Sequence, residues 1–93
     1  MGYNFEWDPE KAKENLNKHG VSFAEASTAF GDPLSMNMPD PDHSEGEHRF
    51  IVMGMSDRYR LLVVSYTERG TNIRIFSCRK ANKSERKAYE QTN

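Results

Sequence analysis

The sequence predicts a small α+β domain: an antiparallel meander of about four strands with two N-terminal helices and one C-terminal helix. Three observations lead there. Two helix-start signals follow each other early in the chain, at Asp8-Pro9 and at Ser22-Phe23-Ala24-Glu25. Residues 48–80 then carry apolar runs and alternations broken by turn residues, the pattern of strands. A third helix start, Asn82 with Glu85 three places on, closes the chain.

Each element has a local reason. Phe5-Glu6-Trp7 alternates and reads as a short strand, with both aromatics expected to pack against Leu16. Asp8 suits an N-cap, and Pro9 suits the first helical position, where its missing N–H costs nothing. That helix runs through Lys11, Ala12, Leu16 and His19, and Gly20 ends it. Ser22 and Glu25 form a capping-box pattern for a second helix, whose Phe23, Ala26 and Phe30 have helical spacing. Gly31-Asp32-Pro33 closes it. Residues 34–38 read as a short strand with Leu34, Met36 and Met38 on one face. Residues 39–47 are a polar loop rich in turn residues.

Strands resume over residues 48–55, and Ser56-Asp57-Arg58 is a turn. The next strand, from Tyr59 to Thr67, is apolar on both faces around Leu61-Leu62-Val63-Val64, which predicts a central place in the sheet. Glu68-Arg69-Gly70-Thr71-Asn72 is a hairpin turn. The last strand, residues 73–80, alternates. Strict alternation puts Ile73, Ile75, Ser77 and Arg79 on one face, and Arg74, Phe76, Cys78 and Lys80 on the other.

Composition narrows the function classes. Ninety-three residues make a single domain, 1–93, with a thin core. The 35% hydrophobic and 29% charged content suits a soluble protein that gains stability from a partner covering one face. No run of about 18 apolar residues exists to span a membrane. The N-terminus has no basic and apolar leader, and the single cysteine, Cys78, has no disulfide partner, so a cytoplasmic protein is expected. The net charge of −1 conceals a division. Positions 1–48 hold three basic and ten acidic residues, whereas positions 49–93 hold ten basic and four acidic. Such separation suits either a polyanion-binding surface or an acidic half folded against a basic half.

The chain resembles the BrnT family of toxins along nearly its whole length. The resemblance rests on Phe5-Glu6-Trp7-Asp8, on Lys18-His19-Gly20-Val21-Ser22-Phe23, and on Glu25-Ala26, Phe30 and Asp32-Pro33. It continues through Asp42-His43-Ser44-Glu45-Gly46-Glu47 with Arg49, Leu61-Leu62-Val63-Val64 and Tyr66-Thr67-Glu68-Arg69-Gly70. It ends with Ile73-Arg74-Ile75, Ser77, Arg79, Ala81, Glu85-Arg86 and Ala88-Tyr89-Glu90. Each motif is weak singly; their order and spacing carry the match. The resemblance implies a RelE-like fold, RNA cleavage that halts translation, and neutralisation by a BrnA-type antitoxin. Such an antitoxin carries a ribbon-helix-helix module, so operator DNA is contacted only through it.

Metal-free RNA cleavage uses the 2′-hydroxyl as nucleophile. It needs in-line positioning, proton transfer and charge stabilisation on the phosphoryl oxygens. Arg79, at a strand end, is the first candidate for the phosphate ligand because its planar fork binds two oxygens. The resemblance to RelE-type toxins, which use an arginine near the end of a late strand, points the same way. His19 is the proton-transfer candidate, since an imidazole trades its proton near neutral pH. At a helix C-terminus it can equally serve to satisfy terminal carbonyls. Glu68 is a candidate base or a partner for Arg69, and Arg49 a further catalytic candidate. Lys18, Arg69, Arg74, Lys80, Arg86 and Tyr89 are candidate RNA contacts. Arg74 is expected on the face opposite Arg79. His43 and His48 beside Asp42, Glu45 and Glu47 match no zinc spacing, so no metal and no cofactor is expected. The competing reading is a non-catalytic nucleic-acid-binding or antitoxin-interaction module.

Overall fold

The computed structural model describes residues 3–40 and 48–92. Its elements follow the expected order: β1 (Asn4–Glu6), α1 (Pro9–His19), α2 (Phe23–Thr28) with a 3-10 turn (Ala29–Gly31), β2 (Met36–Pro39), β3 (Phe50–Met55), β4 (Leu61–Arg69), β5 (Asn72–Lys80) and α3 (Lys83–Thr92). The predicted polar loop lies largely outside the described residues.

The capping signals work as the residue types dictate. The Asp8 carboxylate accepts from the Glu10 N–H at 2.9 Å, and Gly20 ends α1 with φ +71°, a conformation cheap only for glycine. Ser22 Oγ accepts from the Glu25 N–H at 3.0 Å. The capping box forms only this half, because the Glu25 carboxylate turns inward to Ser56 and Arg60. At α3 the box is reciprocal, with Glu85 N–H on Asn82 at 2.8 Å and Asn82 N–H on Glu85 at 2.9 Å.

The sheet corrects the expectation in two ways. It has five strands in the order β1-β5-β4-β3-β2. Strands β2 to β5 form the antiparallel meander with β4 at the centre, but β1 adds a parallel edge to β5, pairing Phe5 with Ile73. The helices lie on both faces of the sheet. Strands alternate, so Val52, Leu62, Val64, Tyr66, Ile73, Ile75 and Cys78 share one face, where they pack with Val21, Phe23 and Ala26 around α2. Met53 and Leu61 occupy the opposite face with Tyr89 of α3. The aromatics Phe5, Trp7 and Phe30 close the rim of the first core, Trp7 standing 5.9 Å from Phe23 and Phe30 4.9 Å from Tyr66. Leu16, expected beneath Phe5 and Trp7, is half exposed.

The consequential departure is a β-bulge. Ser65 pairs with Ser77 while Tyr66 pairs with Ile75, so Phe76 is an extra residue in β5. The insertion reverses the alternation. Ile73 and Ile75 face the first core, yet beyond the bulge Cys78 takes that side and Ser77 and Arg79 turn to the second face. The assignment of Arg79 to the face of Ile73 and Ile75 is therefore wrong. Arg74 lies on the second face, opposite Thr67 in β4, so Arg74 and Arg79 share a face instead of opposing each other.

Candidate active site

On the second face lies an open cleft of about 340 Å³. Its floor is sheet: Ile51 of β3, Val63 and Ser65 of β4, and Ser77 and Arg79 of β5. Its walls are His19 from the end of α1 and Asp40 just beyond β2. The bulge puts Arg79 there.

His19 reaches the cleft through an anchoring device. Strand β1 covers β5 only along Asn72, Ile73 and Arg74, which leaves the backbone groups of Cys78 unpaired on that edge. The Asn15 side chain fills the gap. Its Oδ1 accepts from the Cys78 N–H at 3.0 Å, and its Nδ2 donates to the Cys78 carbonyl at 2.8 Å and to the Val21 carbonyl at 3.0 Å. Asn15 and His19 are four residues apart on α1, hence on one helix face. Fixing Asn15 to the strand edge therefore sets His19 beside the strand that carries Arg79.

The Arg79 guanidinium is held end-on by Glu85, with Nη1 to Oε1 at 2.7 Å and Nη2 to Oε2 at 2.8 Å. Nη1 also lies 3.4 Å from the Lys80 carbonyl. The arginine holds the Glu85 carboxyl below the usual carboxylate range, against the opposing effect of partial burial. Asp40 is buried, and its N–H donates to the Arg49 carbonyl at 2.9 Å. Burial pushes the Cys78 thiol up to about 12, which removes it as a nucleophile at neutral pH.

The other expected residues divide by place. Arg49 stacks over the Phe76 ring at 3.9 Å, on the residue that forms the bulge. Arg74 is paired with Glu6 at 2.9 Å. Lys18 is exposed one position before His19. Glu68 and Arg69 are exposed at the hairpin end of β4, apart from the cleft. Lys80 lies opposite Leu62, on the far side of the sheet from Arg79. Arg86 is exposed on α3. Tyr89 is buried against Met53 and Leu61, and its hydroxyl donates to Asp32 at 2.5 Å, the position of a core residue. Asp40, Ser65 and Ser77 are not among the candidate site residues read from the sequence. Asp40 sits in a run of turn residues, and nothing local marks the two serines as a shared floor.

Among the described residues no three metal-ligating side chains come together. His43, Asp42, Glu45 and Glu47 lie outside those residues. Among the described residues no helix is long and apolar enough to cross a membrane.

A family profile described as the ribonuclease toxin BrnT of a type II toxin-antitoxin system matches residues 7–85. The chain belongs to the BrnT family. The fold agrees with the 1.1 Å crystal structure of the Brucella abortus ribonuclease toxin BrnT, with a TM-score of 0.64 over 87% of this chain and 99% of that one. Sequence identity is 20%, so that likeness concerns the fold. No curated relative matches the sequence. The family is one of ribonuclease toxins in type II systems, which implies an antitoxin partner. The BrnT match takes in His19, Asp40, Arg79 and Glu85, so both walls of the cleft, Arg79 and its carboxylate partner lie inside it. Strand β1 and the part of α3 that carries Arg86 and Tyr89 lie outside it.

Proposed function

We propose that this chain is an endoribonuclease that cleaves RNA without a metal ion in the cleft between His19 and Arg79. The single observation that carries the reading is that the cleft joins an imidazole and a guanidinium from opposite parts of the sequence. Those two groups supply the two things phosphodiester transesterification needs from side chains: proton transfer and stabilisation of phosphoryl charge.

In the proposed reaction the RNA 2′-oxygen attacks the adjacent phosphorus and loses its proton. The bond from phosphorus to the 5′-oxygen breaks, and a 2′,3′-cyclic phosphate and a 5′-hydroxyl result. Arg79 binds two non-bridging oxygens, and His19 moves a proton at the 2′- or 5′-oxygen. The hydroxyls of Ser65 and Ser77 on the cleft floor are available to the sugar and phosphate. Arg49 and Arg74 contribute positive potential for the flanking backbone. In the wider reading a ribbon-helix-helix antitoxin of the BrnA type covers this face and blocks RNA, operator DNA is contacted through that antitoxin, and the toxin acts on translation in the cytoplasm.

The test is cleavage of a labelled RNA by the purified chain in excess chelator. The expected result is an undiminished rate, with products ending in 2′,3′-cyclic phosphate, and a loss of roughly 10²–10⁴-fold in His19→Ala. Activity lost in chelator and restored by a divalent ion contradicts the metal-free reading. A parent that binds RNA and never cleaves it supports the non-catalytic module.

A further inference from the structure

An arginine offered to a phosphate and already clasped by a carboxylate poses a question of charge and geometry. Arginine has five N–H donors arranged along three edges of a plane. Glu85 takes the end-on edge, one oxygen on Nη1 and the other on Nη2. The remaining Nη2 hydrogen and the Nε hydrogen lie together on a second edge. That edge is itself a two-donor fork of the kind that fits two phosphoryl oxygens.

The carboxylate is in turn fixed from behind. Its Oε1 accepts from the Asn82 N–H at 2.9 Å, and the Glu85 N–H donates to Asn82 Oδ1 at 2.8 Å. Glu85 therefore stands in the first turn of a ten-residue helix, where the dipole favours negative charge. The helix end offsets part of the carboxylate charge, so Arg79 keeps positive potential toward an oxyanion. An arginine side chain that is 44% exposed would otherwise lose several rotatable bonds of freedom on binding.

From this geometry we infer that Glu85 is the positioning residue for Arg79: it holds the guanidinium end-on so that the Nε/Nη2 fork is presented to the scissile phosphate. The inference rests on the proposed role of Arg79. It makes the first turn of α3 part of the active site's support, so that docking of α3 on the sheet through Tyr89 also sets catalytic geometry. The opposite arrangement, in which Glu85 occupies Arg79 and must leave before RNA binds, makes the contrary forecast for the same variant.

The experiment compares RNA cleavage by the parent, Glu85→Gln, Arg79→Ala and the double variant, with circular dichroism for each. Glutamine keeps an oxygen for the Asn82 N–H and removes the negative charge that faces the guanidinium. The expected result for E85Q is a fall of roughly tenfold to a hundredfold in kcat, as for other outer partners that orient a binding group. KM should change little, and E85Q should cause no further loss in the Arg79→Ala background. Glu85→Asp keeps the charge with a shorter reach and should retain an intermediate kcat, which serves if E85Q does not fold. Cleavage by E85Q at or above the parent rate overturns the inference, a higher rate marking Glu85 as an inhibitory latch. An equal proportional loss in the Arg79→Ala background overturns it too, since that is the mark of a purely structural residue. If Arg79→Ala itself cleaves at the parent rate, the proposed role of Arg79 fails and the inference fails with it. If Arg79→Ala is inactive and E85Q fully active, the inference alone fails.

Discussion

Asn15 and Cys78 are 63 residues apart and exchange two hydrogen bonds, the asparagine amide standing in for a neighbouring strand on the free edge of β5. A short polar side chain thus completes the sheet where β1 stops, and it ties the helix that carries His19 to the strand that carries Arg79.

Replacing that side chain should therefore damage both stability and activity. Asn15→Ala strands the Cys78 N–H and two carbonyls in a buried place, and the expected loss is on the order of 3 kcal/mol. Asn15→Asp should be worse, because a carboxylate donates to neither carbonyl. Urea denaturation measures both. A loss within experimental error for Asn15→Ala contradicts the edge-completing role.

Gly54 in β3 should tolerate no side chain. An added Cβ there meets the Ala29 carbonyl oxygen at 2.6 Å and Ser35 Cβ at 3.1 Å, and a backbone oxygen cannot swing aside. Gly54→Ala should cost about 1–3 kcal/mol through displacement of the 3-10 turn. Gly31→Ala is the control, since nothing lies within 4 Å of its Cβ position. Equal midpoints for the two variants would show that the turn yields freely.

Acid should weaken the fold through Glu25. Hydrogen bonds from Arg60 hold its carboxyl below the usual range, outweighing burial, with Ser56 adding at 2.7 Å. The folded-state pKa is depressed, so this stabilisation is complete above the ordinary value of 4.5 and is lost as pH falls through the folded value. Asp32 adds to the same trend. Burial raises its pKa, but the Tyr89 hydroxyl and the N–H groups of Met55 and Leu34 lower it by more. Arg60→Ala leaves a nearly buried carboxylate unpaired and should cost on the order of 3 kcal/mol at pH 7. The gap between parent and variant should narrow at pH 3, where Glu25 is protonated in the variant. Denaturation midpoints at the two pH values decide it; a gap that widens in acid reverses the sign of the argument.

Much of this architecture is written locally. Asp8-Pro9, Ser22 and Asn82 start helices because their side chains satisfy orphan N–H groups a few residues on, and Leu61-Leu62-Val63-Val64 marks the central strand because both faces are covered. Three features escaped because their causes are distant in sequence. The parallel pairing of Phe5 with Ile73 leaves no mark in either segment. The bulge at Phe76 is set by the register against Ser65 and Tyr66, and residues 73–80 read as an unbroken alternation without it. That error moved Arg79 to the wrong face and separated it from Arg74. Likewise Glu25 fitted a capping box by spacing, while Arg60, 35 residues later, claims its carboxylate. His19 and Arg79 were legible by residue type, but that they share a cleft depends on Asn15 and the bulge together.

The most direct test of the account is the single-turnover rate of RNA cleavage by Arg79→Ala, measured beside the parent, Arg79→Lys and Arg58→Ala, with circular dichroism to establish folding. A folded Arg79→Ala protein should be slower by about 10²–10³-fold, the usual cost of losing one preorganised donor to developing charge. Arg79→Lys should recover little of it, because an ammonium lacks the two-donor fork. Arg58→Ala, on an exposed turn, should match the parent. A folded Arg79→Ala protein that cleaves within a few-fold of the parent would contradict the account.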